Sequence, residues 1–224
     1  ALKPYYPFGC KRPTFHDEYL PSFNRPNVHL VDTAPLGVQE INETGIVHDG
    51  VQYDVDVLIY ATGFEWMGTG SFNMIRGKDG QTLREKWESE GTKTFLGMHS
   101  AGFPNLFIMN GPQGGGGQFN FTRVSEMHAH YITWMLETMR ENGARSVDVQ
   151  KQAEDDYAEH CAQMDTLSAP LRDCFSYYNG DGNARPGSLA YYGGGQRWHE
   201  RRMAAQETME PYVFDFAREP VAAE

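Results

Sequence analysis

DVDVLIYATGFEW, residues 54–66, is the stretch that decides how this chain is expected to fold. Its centre, residues 55–59, is a short and mostly apolar run, and such runs are typical of strands buried in a parallel sheet. The run stops at Gly63, where glycine favours a tight turn. Ligand sites in α/β folds lie just past the carboxyl ends of such strands, so residues 61–63 are candidate site residues. A core strand followed by a plain turn explains the same residues without any ligand.

Composition excludes several classes of function. A chain of 224 residues can bury one large core or two small ones. Its net charge of −11 argues against nucleic acid or an anionic membrane as a partner, and no apolar run approaches membrane-spanning length. Cys10, Cys161 and Cys174 are widely spaced and form no CxxC pair. This spacing argues against a disulfide scaffold or a zinc site and predicts a cytoplasmic protein.

The chain contains no GxGxxG turn after a predicted strand, although this motif is what cradles dinucleotide phosphates. The four-glycine run at residues 114–117 follows a proline and lacks the required spacing. Residues 1–26 hold five prolines and several aromatic residues, which predicts an irregular connector. A protein that binds two dinucleotides needs two such turns, so if this chain belongs to one, it is the C-terminal portion of a longer protein whose N-terminal half, with those turns, is missing here.

Periodicity predicts the remaining elements. Apolar residues at three- and four-residue steps between residues 124 and 139 predict an amphipathic helix that ends at Asn142-Gly143. Turn residues at 43–45 and 49–50 divide residues 38–53 into short antiparallel strands. Further helices are predicted at 82–89, 151–167 and 196–209, further strands at 27–32, 106–109 and 145–149, and an extended segment at 91–98.

Three segments together resemble a known family. Asp56, the apolar triplet 57–59 and ATGF at 61–64 resemble a fingerprint of two-dinucleotide-binding flavoprotein monooxygenases, which include Baeyer–Villiger and flavin-containing N/S-monooxygenases. KRPTFHDEYLPSFNRPNVHLVDT, residues 11–33, and HSAGFPNLFIMNGP, residues 99–112, are similar to Baeyer–Villiger monooxygenases in order and spacing. The resemblance extends from about Phe8 to about Trp198.

The resemblance implies an α/β fold, namely the C-terminal part of a two-domain Rossmann-like flavoprotein that binds FAD and NADP. Residues 1–26 are then a connector that carries an active-site Lys-Arg pair. Residues 27–63 end the NADP-binding domain, and residues 64–224 form the C-terminal part of the FAD-binding domain.

The implied activity is an FAD- and NADPH-dependent monooxygenase that inserts one oxygen atom from O2 next to a ketone carbonyl, giving an ester or lactone. Its partners are the ketone, O2 and the N-terminal half of the same enzyme, so the isolated chain is expected to be inactive. Two alternatives remain open. One is a flavin-containing N/S-monooxygenase, and the other is a non-catalytic fragment or partner-binding module.

The Lys11-Arg12 pair is the first candidate site. Pro13 holds Arg12 in an extended backbone, and by itself the pair fits a solvated surface better than a binding site. The resemblance places Arg12 over the flavin, where it stabilises the negative peroxide formed when reduced FAD meets O2. It places Lys11 against the ribose or 2′-phosphate of NADPH as a point charge.

A glycine-rich loop and an aromatic segment complete the implied site. The loop by itself fits a flexible strand-to-helix link, and the aromatic segment by itself fits core packing. Tyr177 stands where relatives commonly carry a tryptophan that touches NADP. No metal site is expected, because His128 and His130 face different sides of a helix and the acidic residues 154–156 and Glu159 form a solvated face. The cofactor-binding residues implied are Asp56, Ala61, Thr62, Gly63, Asn110, Gly111, Pro112, Gln118, Asn120 and Tyr177, and the substrate pocket is Gly116, Gly117, Phe119 and Phe121.

Replacing Arg12 tests its catalytic assignment in the enzyme that contains this chain. Arg12→Ala should lower ester formation by ~10²–10³ while FAD stays bound, because one preorganised charge is lost. Arg12→Lys should also be slow, since an ammonium cannot reproduce the planar guanidinium fork. Product chromatography and the flavin absorption spectrum are the measurements. Near-normal ester formation by Arg12→Ala would remove the residue from the mechanism.

Overall fold

The chain divides into two compact units, which we describe separately. A computed structural model describes residues 2–4, 6–7, 10–11, 14–63, 70–114, 120–165 and 195–216. The first unit comprises residues 1–6 and 13–65, and the second comprises residues 7–12 and 66–224. The assignment of residues 27–63 and 64–224 to NADP- and FAD-binding domains stays a prediction.

The first unit contains a short helix and a three-stranded antiparallel sheet. Helix α1 spans Tyr19–Ser22. The sheet consists of Glu40–Ile41, Gly45–His48 and Val51–Asp54 in that order, and it confirms the short antiparallel strands predicted for residues 38–53. Asp49 and Gly50 join the last two strands with positive φ angles of 48° and 74°, as a tight hairpin turn requires. The strands are β1 (Glu40–Ile41), β2 (Gly45–His48) and β3 (Val51–Asp54).

The predicted parallel strand after Asp54 is wrong. Residues 55–63 form no strand, and Val57, Ile59 and Tyr60 are 74%, 81% and 68% exposed. The strand predicted at residues 27–32 is also absent. A buried strand needs neighbours for its hydrogen bonds and its apolar faces, and no strand of the described residues pairs with these segments. The described part of the chain is therefore a mixed α/β structure whose strand pairs are all antiparallel.

The second unit is built mainly from helices, and most of its predicted elements are confirmed. The strand predicted at residues 106–109 is absent. The strand Tyr212–Phe216 was not predicted, and it pairs antiparallel with Ala144–Val149. In chain order the elements are α2 (Ser71–Met74), α3 (Leu83–Glu90), α4 (Phe121–Asn142), β4 (Ala144–Val149), α5 (Lys151–Asp165), α6 (Gly195–Thr208) and β5 (Tyr212–Phe216).

Local sequence fixes where two of these helices begin and end. Thr82 and Glu85 form a reciprocal capping box at the start of α3. Asn120 caps α4 with its side chain, and Gly143 ends it in the left-handed conformation at φ 67°. The buried residues of α4 recur at steps of three and four, which is the pattern that predicted the helix. They are Val124, His128, Tyr131, Met135 and Met139.

Two apolar clusters form the core of the second unit. The smaller cluster consists of Leu83, Trp87 and Phe103. The larger cluster combines one face of α4 with β4, α5, α6 and the turn around residues 95–101. Its buried members are Phe95, Leu96, Met98, Ala101, Tyr131, Met135, Met139, Val147, Val149, Tyr157, Cys161, Trp198, Ala205 and Tyr212.

A buried ion pair joins α3 to α5. Lys86 Nζ lies 2.8 Å from both carboxylate oxygens of Glu154, and the two side chains are 4% and 0% exposed. Lys86 also donates to Ser100 Oγ and to the carbonyl of Ala101, and Glu154 accepts from Ser100 Oγ and the Ala101 N–H. The prediction of a wholly solvated acidic face is therefore wrong at Glu154. A cation from another segment neutralises its charge.

The cysteines differ from one another. Cys10 is disulfide-bonded and buried, although the cysteine spacing argued against a disulfide scaffold. Cys161 is free, and burial raises the pKa of its thiol to about 12. Among the described helices, none has the length and apolar character needed to cross a membrane.

The buried ion pair makes a prediction about stability. Lys86→Ala should lower the free energy of unfolding by about 3–5 kcal/mol, because the buried Glu154 carboxylate then loses its closest cation and keeps the longer contact with Lys151 at 3.7 Å. Arg84→Ala is the matched control on the same helix, since the exposed Glu88 is the one ion-pair partner of Arg84 among the described residues. It should cost less than about 1 kcal/mol. Urea denaturation measures both values, and equal losses would contradict a special role for Lys86.

Candidate functional site

The loop of residues 110–114, between the core turn and α4, contains the described part of the predicted glycine-rich site. Asn110 and Gln113 both have positive φ angles, 53° and 65°. Left-handed backbone is uncommon in residues other than glycine, and it is held here by the surroundings. Asn110, Gly111 and Pro112, all predicted cofactor contacts, therefore lie on a loop of defined conformation.

Buried hydrogen bonds fasten the second half of this loop. Gln113 Oε1 accepts from the N–H and the hydroxyl of Thr94 at 3.0 and 2.9 Å. Gln113 Nε2 donates to the Thr92 carbonyl, and the Tyr157 hydroxyl donates to the Gln113 carbonyl at 2.7 Å. Thr94 Oγ1 also donates to the Pro112 carbonyl at 2.8 Å. Residues 112–113 are thus part of the rigid core.

Three glycines allow backbone segments to touch beneath the loop. A Cβ atom on Gly97 would lie 2.0 Å from Gly114 Cα, and one on Gly111 would lie 2.4 Å from the Gly97 carbonyl oxygen. A Cβ atom on Gly114 would lie 3.1 Å from His128 Cε1. The first glycine of the predicted four-glycine run is therefore explained by packing within the protein.

His128 holds the first half of the loop. The Asn110 N–H donates to His128 Nδ1 at 3.0 Å, and Asn110 Nδ2 donates to Ser125 Oγ at 2.7 Å. Burial lowers the pKa of His128 to about 4, with a smaller opposing effect of the Gly114 backbone. The ring is therefore neutral at pH 7. Sequence reasoning counted His128 on the apolar face of the predicted helix and rejected it as a metal ligand, but it did not predict this bond to Asn110.

Among the described residues, the buried atoms Asn110 Oδ1 and His128 Nε2 beside the loop have no hydrogen-bond partner. Since His128 Nδ1 accepts a hydrogen bond, Nε2 carries the proton and is a donor. Buried polar groups are nearly always paired in proteins. Each of these two atoms can therefore take a hydrogen bond from or to a further polar group.

The start of α4 lies next to this place in the sequence. Asn120 Oδ1 accepts from the Thr122 N–H at 2.9 Å and also from the Thr122 hydroxyl, so the helix occupies this oxygen. Phe121, a predicted wall of the substrate pocket, is 54% exposed. Ser125, one turn later, donates to the Phe121 carbonyl at 3.0 Å. This chain of bonds links Phe121 to Asn110.

The other predicted site residues are distributed over both units. Lys11 belongs to the second unit and is exposed. Asp56 and residues 61–63 belong to the first unit and are exposed, with Gly63 at φ 89°. The remaining predicted residues lie outside the described residues, namely Arg12, Gly116, Gly117, Gln118, Phe119 and Tyr177.

A second set of buried polar side chains, which the sequence did not predict, connects α4 with β5. The hydroxyl of Tyr131 lies 2.8 Å from His99 Nε2 and donates to the Tyr212 hydroxyl at 2.6 Å. Burial lowers the pKa of His99 to about 3 and raises the pKa of both tyrosines. All three groups are therefore neutral at pH 7, and they tie α4 to β5 and to the 95–101 turn.

A cavity of about 360 Å³ in the second unit is lined by Lys78, Lys86, Phe103 and Asp148 among others. Lys78 lies 3.6 Å from Asp148, and Lys86 is paired with Glu154. Beside it, carboxylate oxygens of Glu90, Glu154 and Asp155 lie within 4.8 Å of one another, as in a metal site. Lysines already neutralise these carboxylates, which argues against a bound cation.

Curated proteins similar to this chain are monooxygenases. No protein-family model matches the chain. The FAD-binding monooxygenase hmp7 of Hypomyces subiculosus is 39% identical over 215 residues, covering 92% of this chain and 35% of that protein. A Baeyer-Villiger monooxygenase of Streptomyces coelicolor is 37% identical over 227 residues, covering 97% and 37%. The chain thus spans a little over a third of the length of these relatives.

Solved structures of monooxygenases are similar in fold to this chain. An oxidized steroid monooxygenase bound to NADP matches with a TM-score of 0.79 and 30% identity, covering 95% of this chain and 39% of that one. OTEMO in complex with FAD and NADP matches with a TM-score of 0.77 and 31% identity, covering 94% and 39%. A closed cyclohexanone monooxygenase matches with a TM-score of 0.75 and 26% identity, covering 92% and 39%.

The glycine contacts predict a difference between two substitutions. Gly97 and Gly80 both have positive φ, 74° and 81°, but a Cβ atom on Gly80 meets nothing within 4 Å. Gly80→Ala should cost about 1–2 kcal/mol of unfolding free energy for the left-handed backbone alone. Gly97→Ala should cost a further 1–3 kcal/mol, roughly, because it displaces Gly114. Urea denaturation of both variants measures the difference, and equal costs would show that the 110–114 loop does not rest on Gly97.

Proposed function

Because the chain belongs to the Baeyer–Villiger monooxygenase family, we propose that it forms part of an FAD- and NADPH-dependent enzyme that oxygenates ketones. The reaction inserts one oxygen atom from O2 next to the carbonyl carbon and yields an ester or lactone. The observation that carries this proposal is the similarity, at 37% identity over 97% of the chain, to a protein that is itself called a Baeyer-Villiger monooxygenase. A cytoplasmic location stays a prediction from composition.

The residues at the 110–114 loop fit a flat polar ring such as the isoalloxazine of FAD. That ring carries hydrogen-bond donors and acceptors on one edge. Asn110 Oδ1 has no hydrogen-bond partner among the described residues, and it supplies one acceptor there. FAD, once bound and reduced with NADPH, supplies the activation of O2. Gly111 and Pro112 line the approach to this ring, and Gln118 and Asn120 are proposed as further contacts.

Lys11 and Arg12 are proposed to bind the negatively charged groups that take part in the reaction. Arg12 provides a fixed positive charge where negative charge develops on the transferred oxygen, and this preorganised charge lowers the barrier. Lys11 is exposed and binds the 2′-phosphate or ribose of NADPH. Tyr177 adds a flat ring with a hydroxyl beside the nicotinamide cofactor. Phe121, together with Phe119 and the glycines 116 and 117, shapes the pocket that receives the ketone.

The exposed apolar segment of the first unit has a place in this proposal. Val57, Ile59 and Tyr60 are largely exposed, although their sequence is that of a buried strand. We propose that the remaining part of the enzyme, present in the longer relatives, covers this segment. Once covered, the segment could pair as a strand, and Asp56, Ala61, Thr62 and Gly63 would then lie next to a cofactor bound at the end of that strand.

Oxygen labelling tests the proposed activity. The enzyme that contains this chain, supplied with FAD, NADPH, a cyclic ketone and heavy-isotope O2, should form a lactone that carries one labelled oxygen atom. Mass spectrometry measures the incorporation. A parallel reaction without NADPH is the control and should form no lactone. Oxidation of amines or sulfides without any lactone would favour the N/S-monooxygenase instead.

A further inference from the structure

His128 is enclosed on every side that the structure describes. It is 0% exposed, and its ring packs against Trp198 at 5.3 Å between centroids with an angle of 36°. Gly114 lies so close that a Cβ atom there would be 3.1 Å from His128 Cε1. The ring therefore has little freedom to move, and α4 fixes where its two nitrogens point.

The two nitrogens have different surroundings. Nδ1 accepts from the Asn110 N–H at 3.0 Å, whereas Nε2 has no hydrogen-bond partner in the described part of the chain. This arrangement requires a neutral ring with its proton on Nε2, and a pKa of about 4, lowered mainly by burial, keeps the ring neutral at pH 7. Nδ1 is therefore available as an acceptor under ordinary conditions.

Asn110 needs such an anchor. Its φ of 53° places a non-glycine residue in the left-handed region, which is maintained only when neighbouring groups compensate for it. Two groups compensate here. His128 Nδ1 binds the backbone N–H, and Ser125 Oγ binds the side-chain amide at 2.7 Å. Only the first of these acts on the backbone.

We propose that His128 is a positioning residue, which holds the Asn110 backbone through Nδ1 and thereby sets the 110–114 loop against the flavin. The inference rests on the proposed function, because it gives this loop a cofactor to face. His128 acts through Asn110, so its effect on cofactor binding comes from the shape of the loop. The side-chain bond between Asn110 and Ser125 is secondary to the backbone bond.

Conservative substitutions separate the two nitrogens. The amide of Asn occupies the position of His Nδ1, and the amide of Gln occupies that of Nε2. In the FAD-free enzyme, His128→Gln should exchange the Asn110 amide about ten-fold faster than wild type, the factor expected for one lost hydrogen bond. His128→Asn should retain most of the protection. Hydrogen-exchange mass spectrometry of peptides that contain residue 110 measures both, with the exposed His130→Gln as the matched control.

The same variants connect the loop to the cofactor. His128→Gln should also bind FAD about ten-fold more weakly than His130→Gln, measured by flavin fluorescence titration. Faster exchange with unchanged FAD affinity would overturn the positioning role. So would equal exchange in His128→Asn and His128→Gln.

Ser125→Ala keeps the inference testable if His128→Gln does not fold. It removes the side-chain anchor and leaves the backbone anchor, so the Asn110 amide should stay protected. Fast exchange in Ser125→Ala would overturn the proposal. Wild-type enzyme that binds no FAD refutes the proposed function instead, and the exchange comparison in the FAD-free protein still decides whether His128 anchors the loop.

Discussion

The buried ion pair of Lys86 and Glu154 is the interaction on which the second unit depends. Both side chains are almost fully enclosed, and each is also bonded to Ser100 or to the Ala101 backbone. Three separate segments, α3, the turn near residue 100 and α5, must therefore be in place together. Removing two charges from water costs free energy, and only a complete set of partners offsets it. The pair thus selects one arrangement of these segments.

The candidate site is built on the core that this arrangement creates. Thr94 and Tyr157 fasten Gln113, and Gly97 supports Gly114 from below. His128 then fixes Asn110 from the side of α4. Because every anchor belongs to a rigid element, the loop keeps its unusual backbone angles before any ligand arrives. Pre-organisation of this kind lowers the cost of ordering a cofactor.

The first unit, in contrast, contains an apolar segment that is not fixed by packing against other elements in the described part of the chain. Its small sheet is completed by local pairing between β1, β2 and β3. The apolar segment that follows has no neighbouring strand among the described residues, and its side chains stay exposed. An exposed apolar segment that pairs with no strand can pack against another segment of chain. The sequence of this segment is therefore that of a buried strand, and the described residues do not provide the neighbours that would bury it.

The sequence by itself determined the elements whose signals are local. The periodicity of α4, the capping box at Thr82 and the turn at Asp49 and Gly50 depend on neighbouring residues only, so they could be predicted. The resemblance to Baeyer–Villiger monooxygenases was also visible in the sequence, because the fingerprint around Asp56 and the flanking segments 11–33 and 99–112 are contiguous motifs. The assignments of Arg12 and Tyr177 stay predictions from that resemblance. Only the tertiary structure decided that Glu154 is buried, that His128 anchors Asn110 and that Val57, Ile59 and Tyr60 are exposed. These outcomes depend on partners from distant segments, or on their absence among the described residues, and no local pattern contains that information.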